Sequence, residues 1–176
     1  TILPGAPLGI SDSVCFYQPV PDLTATGTNI QWYSDPALTT LVFSGNPFPT
    51  GQTAVGTYTY YVTQTVNFIE SSSDTVFLTI NPLPAAPASA DQSACFGGTI
   101  PDLTATGTSI QWYDNLMNPV GTGSPYATGQ TAAGTYTYYV TQTNTITACE
   151  SDSTTVTLTI ISLPASPVAS NDTAIC

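Results

Sequence analysis

Residues 22–33 read DLTATGTNIQWY, and residues 102–113 read DLTATGTSIQWY. The copies differ at one position and start 80 residues apart. That period is too long for a solenoid unit and suits a small independent domain. Within each copy the Ile-Gln-Trp-Tyr run alternates apolar and polar. Successive strand residues point to opposite faces, so Ile30 shares a face with Trp32, and Ile110 with Trp112.

A second pair of segments extends the repeat. Residues 50–65 read TGQTAVGTYTYYVTQT and residues 128–143 read TGQTAAGTYTYYVTQT, here offset by 78. The loop after Trp-Tyr is therefore two residues shorter in the second copy, which regains them between Gln142 and Glu150. Leu-Pro-x-x-Pro begins at Leu3, Leu83 and Leu163, again 80 apart. These landmarks predict one domain over residues 1–81, a second over 82–162, and the start of a third over 163–176. Proline fixes φ and restricts the residue before it, so the joints should be short and semi-rigid.

Tyr58, Tyr60 and Val62 share a face, as do Val76, Leu78 and Ile80; the second copy repeats this with Tyr136, Tyr138 and Val140, then Val156, Leu158 and Ile160. No segment has helical periodicity. About seven short strands in roughly 80 residues, around one Trp, predict an all-β fold of tandem immunoglobulin-like β-sandwich domains. Gly56-Thr57-Tyr58 and Gly134-Thr135-Tyr136 read as the tyrosine corner of that fold, and Tyr60 and Tyr138 stand where antibody domains carry the second cysteine. The expected core is Trp32, Tyr58 and Tyr60 in the first copy and Trp112, Tyr136 and Tyr138 in the second. Tyr33, Tyr61, Tyr113 and Tyr139 point the other way and are the residues available for surface contacts, including with glycans.

Composition excludes several functions. The 176 residues contain no Lys, Arg or His, and the formal charge is −11. Nucleic-acid binding needs basic side chains to neutralise phosphates. Anionic membranes repel such a chain, and no apolar run is long enough to insert into one. Thr and Ser supply 48 residues, and 41% of the chain is hydrophobic, enough for a core built from strands.

The residues for catalysis are also missing. Without His or Lys, a nucleophile lacks its usual base. Glu150 and Asp152 read as a solvated loop end. No spacing resembles a zinc, calcium or phosphate site, so no metal, cofactor or catalytic residue is assigned.

Four cysteines remain. Cys15, Cys95 and Cys176 stand at equivalent places in successive repeats, and Cys149 precedes the last strand of the second. A Cys95–Cys149 bond would close a loop of about 55 residues, stabilising by roughly 4 kcal/mol in the chain-entropy model. Ile69 occupies the matching position in the first repeat, leaving Cys15 either a free thiol or the site of a bond to a neighbouring chain. The partner of Cys176 would lie further along. Disulfides fit a secreted protein.

The order Pro-x-x-Pro, Cys, DLTATG, QWY, GTYTYYVTQT and Cys149-Glu150-Ser151, followed by a Thr/Val strand, resembles the Ig-like repeats of large cell-surface proteins of Bacteroidota. The resemblance spans both repeats. It implies export by the type IX system to the cell surface or beyond, and adhesion, gliding or filament roles. It also implies pairing of Cys95 with Cys149 inside one repeat, from which the first repeat departs at Ile69. O-glycosylation in these bacteria resembles Asp, then Ser or Thr, then an aliphatic residue or Thr. Ser13, Thr75, Ser153 and Thr173 fit that pattern. The expectation is a non-catalytic structural or adhesive stalk, fibre or filament segment that associates with copies of itself or with neighbouring repeats. A carbohydrate-binding module is the alternative.

Overall fold

The computed structural model describes residues 2–167, all of them strand, turn or irregular backbone. The chain divides into two compact units. The first takes in Thr1–Leu83 together with Thr145–Cys149; the second takes Pro84–Asn144 and the chain from Glu150 onward.

In the first unit the strands are β1 (Leu8–Ile10), β2 (Asp12–Cys15), β3 (Thr24–Thr26), β4 (Ile30–Tyr33), β5 (Leu41–Ser44), β6 (Gly56–Val66), β7 (Ile69–Glu70) and β8 (Asp74–Asn81). The main sheet runs β2-β8-β6-β4-β5, with β7 folded back on the end of β6, and β1 pairs with β3 to form the facing layer. Only β2 runs parallel to its neighbour, with Cys15 opposite Asn81; the other pairs in the main sheet are antiparallel. The long strand β6 is a Thr, Tyr and Val run whose branched and aromatic side chains suit a pleated surface.

The two layers close on an apolar core. Trp32, opposite Val62, is fully buried with Val62, Val76 and Leu78, and Leu23 and Ala25 of the facing layer cover them. Burying each aliphatic side chain stabilises by roughly 1.5–3 kcal/mol. The Trp32 Nε1–H donates to the Gly45 carbonyl at 3.0 Å, so its one polar atom is satisfied.

The second unit repeats this with β9 (Ala88–Ser89), β10 (Gln92–Cys95), β11 (Ala105–Thr106), β12 (Ile110–Tyr113), β13 (Pro119–Thr122), β14 (Gly134–Gln142) and β15 (Thr154–Ile161). The order is β10-β15-β14-β12-β13, with β9 on β11. Trp112 is fully buried and donates to Gly123 O at 2.8 Å. One packing exchange separates the cores. Phe43 stacks on Phe48 at 5.1 Å in the first, whereas Gly121 stands at the matching place in the second and Tyr126 fills the space. A Cβ on Gly121 would lie 2.4 Å from the Tyr126 ring.

Tyrosine corners lock the start of β6 and β14. The Tyr58 hydroxyl donates to Ala54 O at 2.9 Å, and that of Tyr136 to Ala132 O at 3.0 Å. Two residues on, Tyr60 and Tyr138 are buried, and their hydroxyls accept from Gln52 Nε2 and Gln130 Nε2 at 3.0 and 3.1 Å.

Candidate functional site

Chemistry in this chain concentrates at the hairpin that ends β14. Gln142 closes the strand, and Ser151 closes the loop by donating its backbone N–H to Gln142 O at 2.9 Å, while Gln142 N donates to Ser151 Oγ at 3.0 Å. Between them stands Glu150. Its Oε1 accepts the Tyr113 hydroxyl at 2.8 Å and the Thr141 hydroxyl at 2.6 Å. The same trio exists in the first repeat, where Glu70 Oε1 accepts from Tyr33 and from Thr63, both at 2.7 Å. Burial, then the hydrogen bond to the adjacent carboxylate, raises the pKa of Tyr33 and of Tyr113 above the ordinary phenol value.

These trios explain where the outward tyrosines go. Tyr33 is only 8% exposed, because its ring is covered where its hydroxyl reaches back to Glu70. Tyr113, Tyr61 and Tyr139 are half-buried. In sheet register Tyr33 lies opposite Tyr61, and Tyr113 opposite Tyr139. Glu150 remains exposed but serves as an anchor rather than a free loop end.

The loop anchored by Glu150 carries Cys149, and the structure corrects its expected partner. Cys149 is bonded to Cys15, across 134 residues of sequence, with Cα atoms 5.5 Å apart. Cys95 is free and exposed. Hence the Cys95–Cys149 pairing is wrong, and so is the reading of Cys15 as a free thiol or a bond to another chain. The reason is strand geometry. Parallel pairing puts Cys95 opposite Ile161, the last residue of β15, whereas Cys149 lies before Thr154, the first. Eight strand residues at ~3.3 Å each separate them by about 25 Å, while a disulfide needs Cα atoms within roughly 7 Å. Cys149 is fully buried and, with Thr145–Ala148, belongs to the first unit. In the first repeat the matching hairpin turns through Asn67 and Phe68, both at positive φ, and has Ile69 in place of the cysteine.

Of the remaining candidates, Ser13, Thr75 and Ser153 are exposed; Thr173 and Cys176 lie outside the described residues. Two aspartates that sequence reading passed over organise the loop after each Trp-Tyr pair. Asp35 accepts from the backbone of Ala37, Thr39 and Thr40, and Asp114 from that of Leu116 and Asn118. An Asp just after a strand and before Pro-Ala or Asn-Leu is the signal for such a turn. The Thr39 backbone bond to Asp35, and the Asn118 side chain on Asp114, hold these carboxyls below the usual range.

An open groove of about 750 Å³ borders the second trio, lined by Gln111, Tyr113, Ser124, Thr143 and Glu150 among others. A second, of about 650 Å³, is lined by Val42, Phe43, Phe48, Tyr58 and Tyr60. Among the described residues no three His, Cys, Asp or Glu side chains gather to hold a metal ion. No helix there is long and apolar enough to cross a membrane.

A sandwich with a tyrosine corner and a central Trp, present twice, meets its counterpart among known families. The family model described as "Ig-like domain CHU_C associated" matches residues 4–82 and again residues 84–161. The chain belongs to this Ig-like family. No curated protein matches it. It is similar to the fibronectin(III)-like modules of CbhA from Clostridium thermocellum, at 17% identity over 95% of this chain and 97% of that one, with a TM-score of 0.45. It is also similar to the N-terminal Ig1-2 module of the Drosophila receptor protein tyrosine phosphatase DLAR, at 16% identity over 88% and 98% of the two chains, with a TM-score of 0.31. Ig-like families are generally non-catalytic. An Ig-like domain stapled by a disulfide is the architecture of extracellular or secreted proteins.

Proposed function

We propose that this Ig-like chain is a non-catalytic structural or adhesive segment of a cell-surface stalk, fibre or filament, of the kind found in exported Bacteroidota proteins. The Cys15–Cys149 bond carries the reading, because it closes residues of both Ig-like matches into one covalent ring. A binding module needs only its own fold intact. A load-bearing segment gains from a bond that outlasts the sheets. The Leu-Pro-x-x-Pro joints support an extended string, and with no basic side chains its partners are copies of itself, neighbouring repeats or surface glycans.

Electron micrographs of native material test this directly. Extended strings or fibrils are expected; compact, isolated particles alone overturn the reading. Ser13, Thr75 and Ser153 are proposed glycan acceptors, since each follows an aspartate and is exposed. An intact mass equal to that of the bare sequence removes that part of the proposal.

A further inference from the structure

Cys95 stands 80 residues after Cys15, and its backbone setting is the same. Both cysteines end an edge strand that runs parallel to the last strand of the repeat. Phe16 N donates to Asn81 O at 2.8 Å, and Phe96 N to Ile161 O at 2.8 Å. Gln18 N donates to Cys15 O at 3.0 Å, and Gly98 N to Cys95 O at 3.0 Å. The difference lies in what meets them. Cys15 is bonded to Cys149, and both Cys15 and Phe16 are half-buried in a unit that includes Thr145–Cys149. Cys95 is an exposed thiol, and the neighbouring Phe96 is 46% exposed.

The donor of the first bond is equally well defined. Glu150 and Ser151 pin the returning arm of the hairpin, through Tyr113, Thr141 and Gln142, and the Thr143–Glu150 bridge closes its loop, so that Cys149 is held as the last residue of that loop. Leu163 then opens the third Leu-Pro-x-x-Pro, at the spacing that separates the first two. We infer that Cys95 is the acceptor for the Cys-Glu-Ser hairpin of a following Ig-like repeat, forming the counterpart of the Cys15–Cys149 bond. The partner is a cysteine placed directly before a Glu-Ser pair, as Cys149 is; a repeat with Ile there, like that containing Ile69, has no sulfur to form the bond.

Formation is a two-electron oxidation. The Cys95 and partner S–H bonds break and one S–S bond forms. Two protons and two electrons pass to the disulfide of a thiol oxidase of the dithiol type, which leaves as the dithiol. The inference rests on the tandem-stalk reading only in needing a following repeat.

Thiol trapping of native protein tests it. Free thiols are alkylated at harvest, and the protein is cut with pepsin, since it has no Lys or Arg for trypsin. Cys95 should resist alkylation until reductant is added, and its peptide should be joined to a Cys-Glu-Ser peptide other than that of Cys149. Alkylated Cys95, or Cys95 joined to Cys149 of the same chain, overturns the inference. The purified chain gives a second readout. C15S/C176S releases Cys149, and oxidation by glutathione disulfide should then yield multimers joined through Cys95 and Cys149, lost on adding C95S. Monomers carrying only glutathione adducts overturn it. Free Cys95 in material that still forms extended strings removes the staple and leaves the stalk.

Discussion

The Tyr33 hydroxyl donates to Glu70 Oε1 at 2.7 Å, and the same oxygen accepts from Thr63, which has no exposure to solvent. Tyr33 and Glu70 are 37 residues apart in sequence, so the bond holds the β7 hairpin over the face of β4. Removing the carboxylate strands a buried hydroxyl, at a cost of about 1–3 kcal/mol. E70A should lose that much in urea unfolding, and E70Q, which keeps an acceptor oxygen, markedly less. Equal losses from the two would show that charge, not satisfaction of Thr63, is what matters.

Alkaline stability follows from the same bond. Tyr33 and Tyr113 have folded pKa values above the unfolded value of about 10, so folding holds their protons more tightly. That contribution is complete below pH ~10 and disappears as pH rises through the folded values. Asp35 and Asp114 act in the opposite sense: their lowered pKa values contribute above pH ~4, and the contribution falls away in acid. Y33F/Y113F should flatten the alkaline limb of the unfolding midpoint against pH without touching the acid limb.

Gly9 lies so close to the core that a Cβ there would sit 2.2 Å from Val76 Cγ2. G9A should destabilise the first unit by about 1–3 kcal/mol through overpacking. V76A introduced with it should recover part of the loss. Simple addition of the two single effects would refute steric conflict as the cause.

Trp32 and Trp112 are both fully buried, one in each core. W32A and W112A should each cost about 3–5 kcal/mol. Because each unit holds one indole, fluorescence of the remaining Trp should report an intact second unit in W32A and an intact first in W112A. Joint collapse of both signals would show that the units unfold as one.

The Cys15–Cys149 ring closes 134 residues of separation, which in the chain-entropy limit stabilises by up to about 5 kcal/mol. C15S, C149S and the double variant should show the same loss, since either change opens the ring. A double variant much less stable than the singles would mean that the side chains matter beyond their bond. A single protease cut between residues 16 and 148 should also leave two fragments that separate on a denaturing gel only after reduction.

The sandwich was legible because its signals are local. Alternation around Trp32, the Gly-Thr-Tyr corner at Tyr58 and the Thr/Val strand ending at Ile80 each declare a face within a few residues. The disulfide was not, because it depends on strand direction. Nothing in the run around Cys95 says that β10 lies parallel to β15 and so places its cysteine at the far end from Cys149. One clue was present: Ile69 denied Cys15 a partner within its own repeat, which points to pairing across repeats. Tyr33 misled for a similar reason. Alternation sends it outward, but the hairpin bearing Glu70 folds back over it.

The ring also decides how this segment behaves under tension. A pull applied outside it passes from Cys15 to Cys149 through sulfur, so the chain between them cannot be drawn out to full length even where β2 and β15 tug on the strands they pair with. Those residues would otherwise release about 450 Å of slack once the sheets tore. In the stalk proposed above, the oxidised bond would cap how far this stretch lengthens, and its reduction would add that slack.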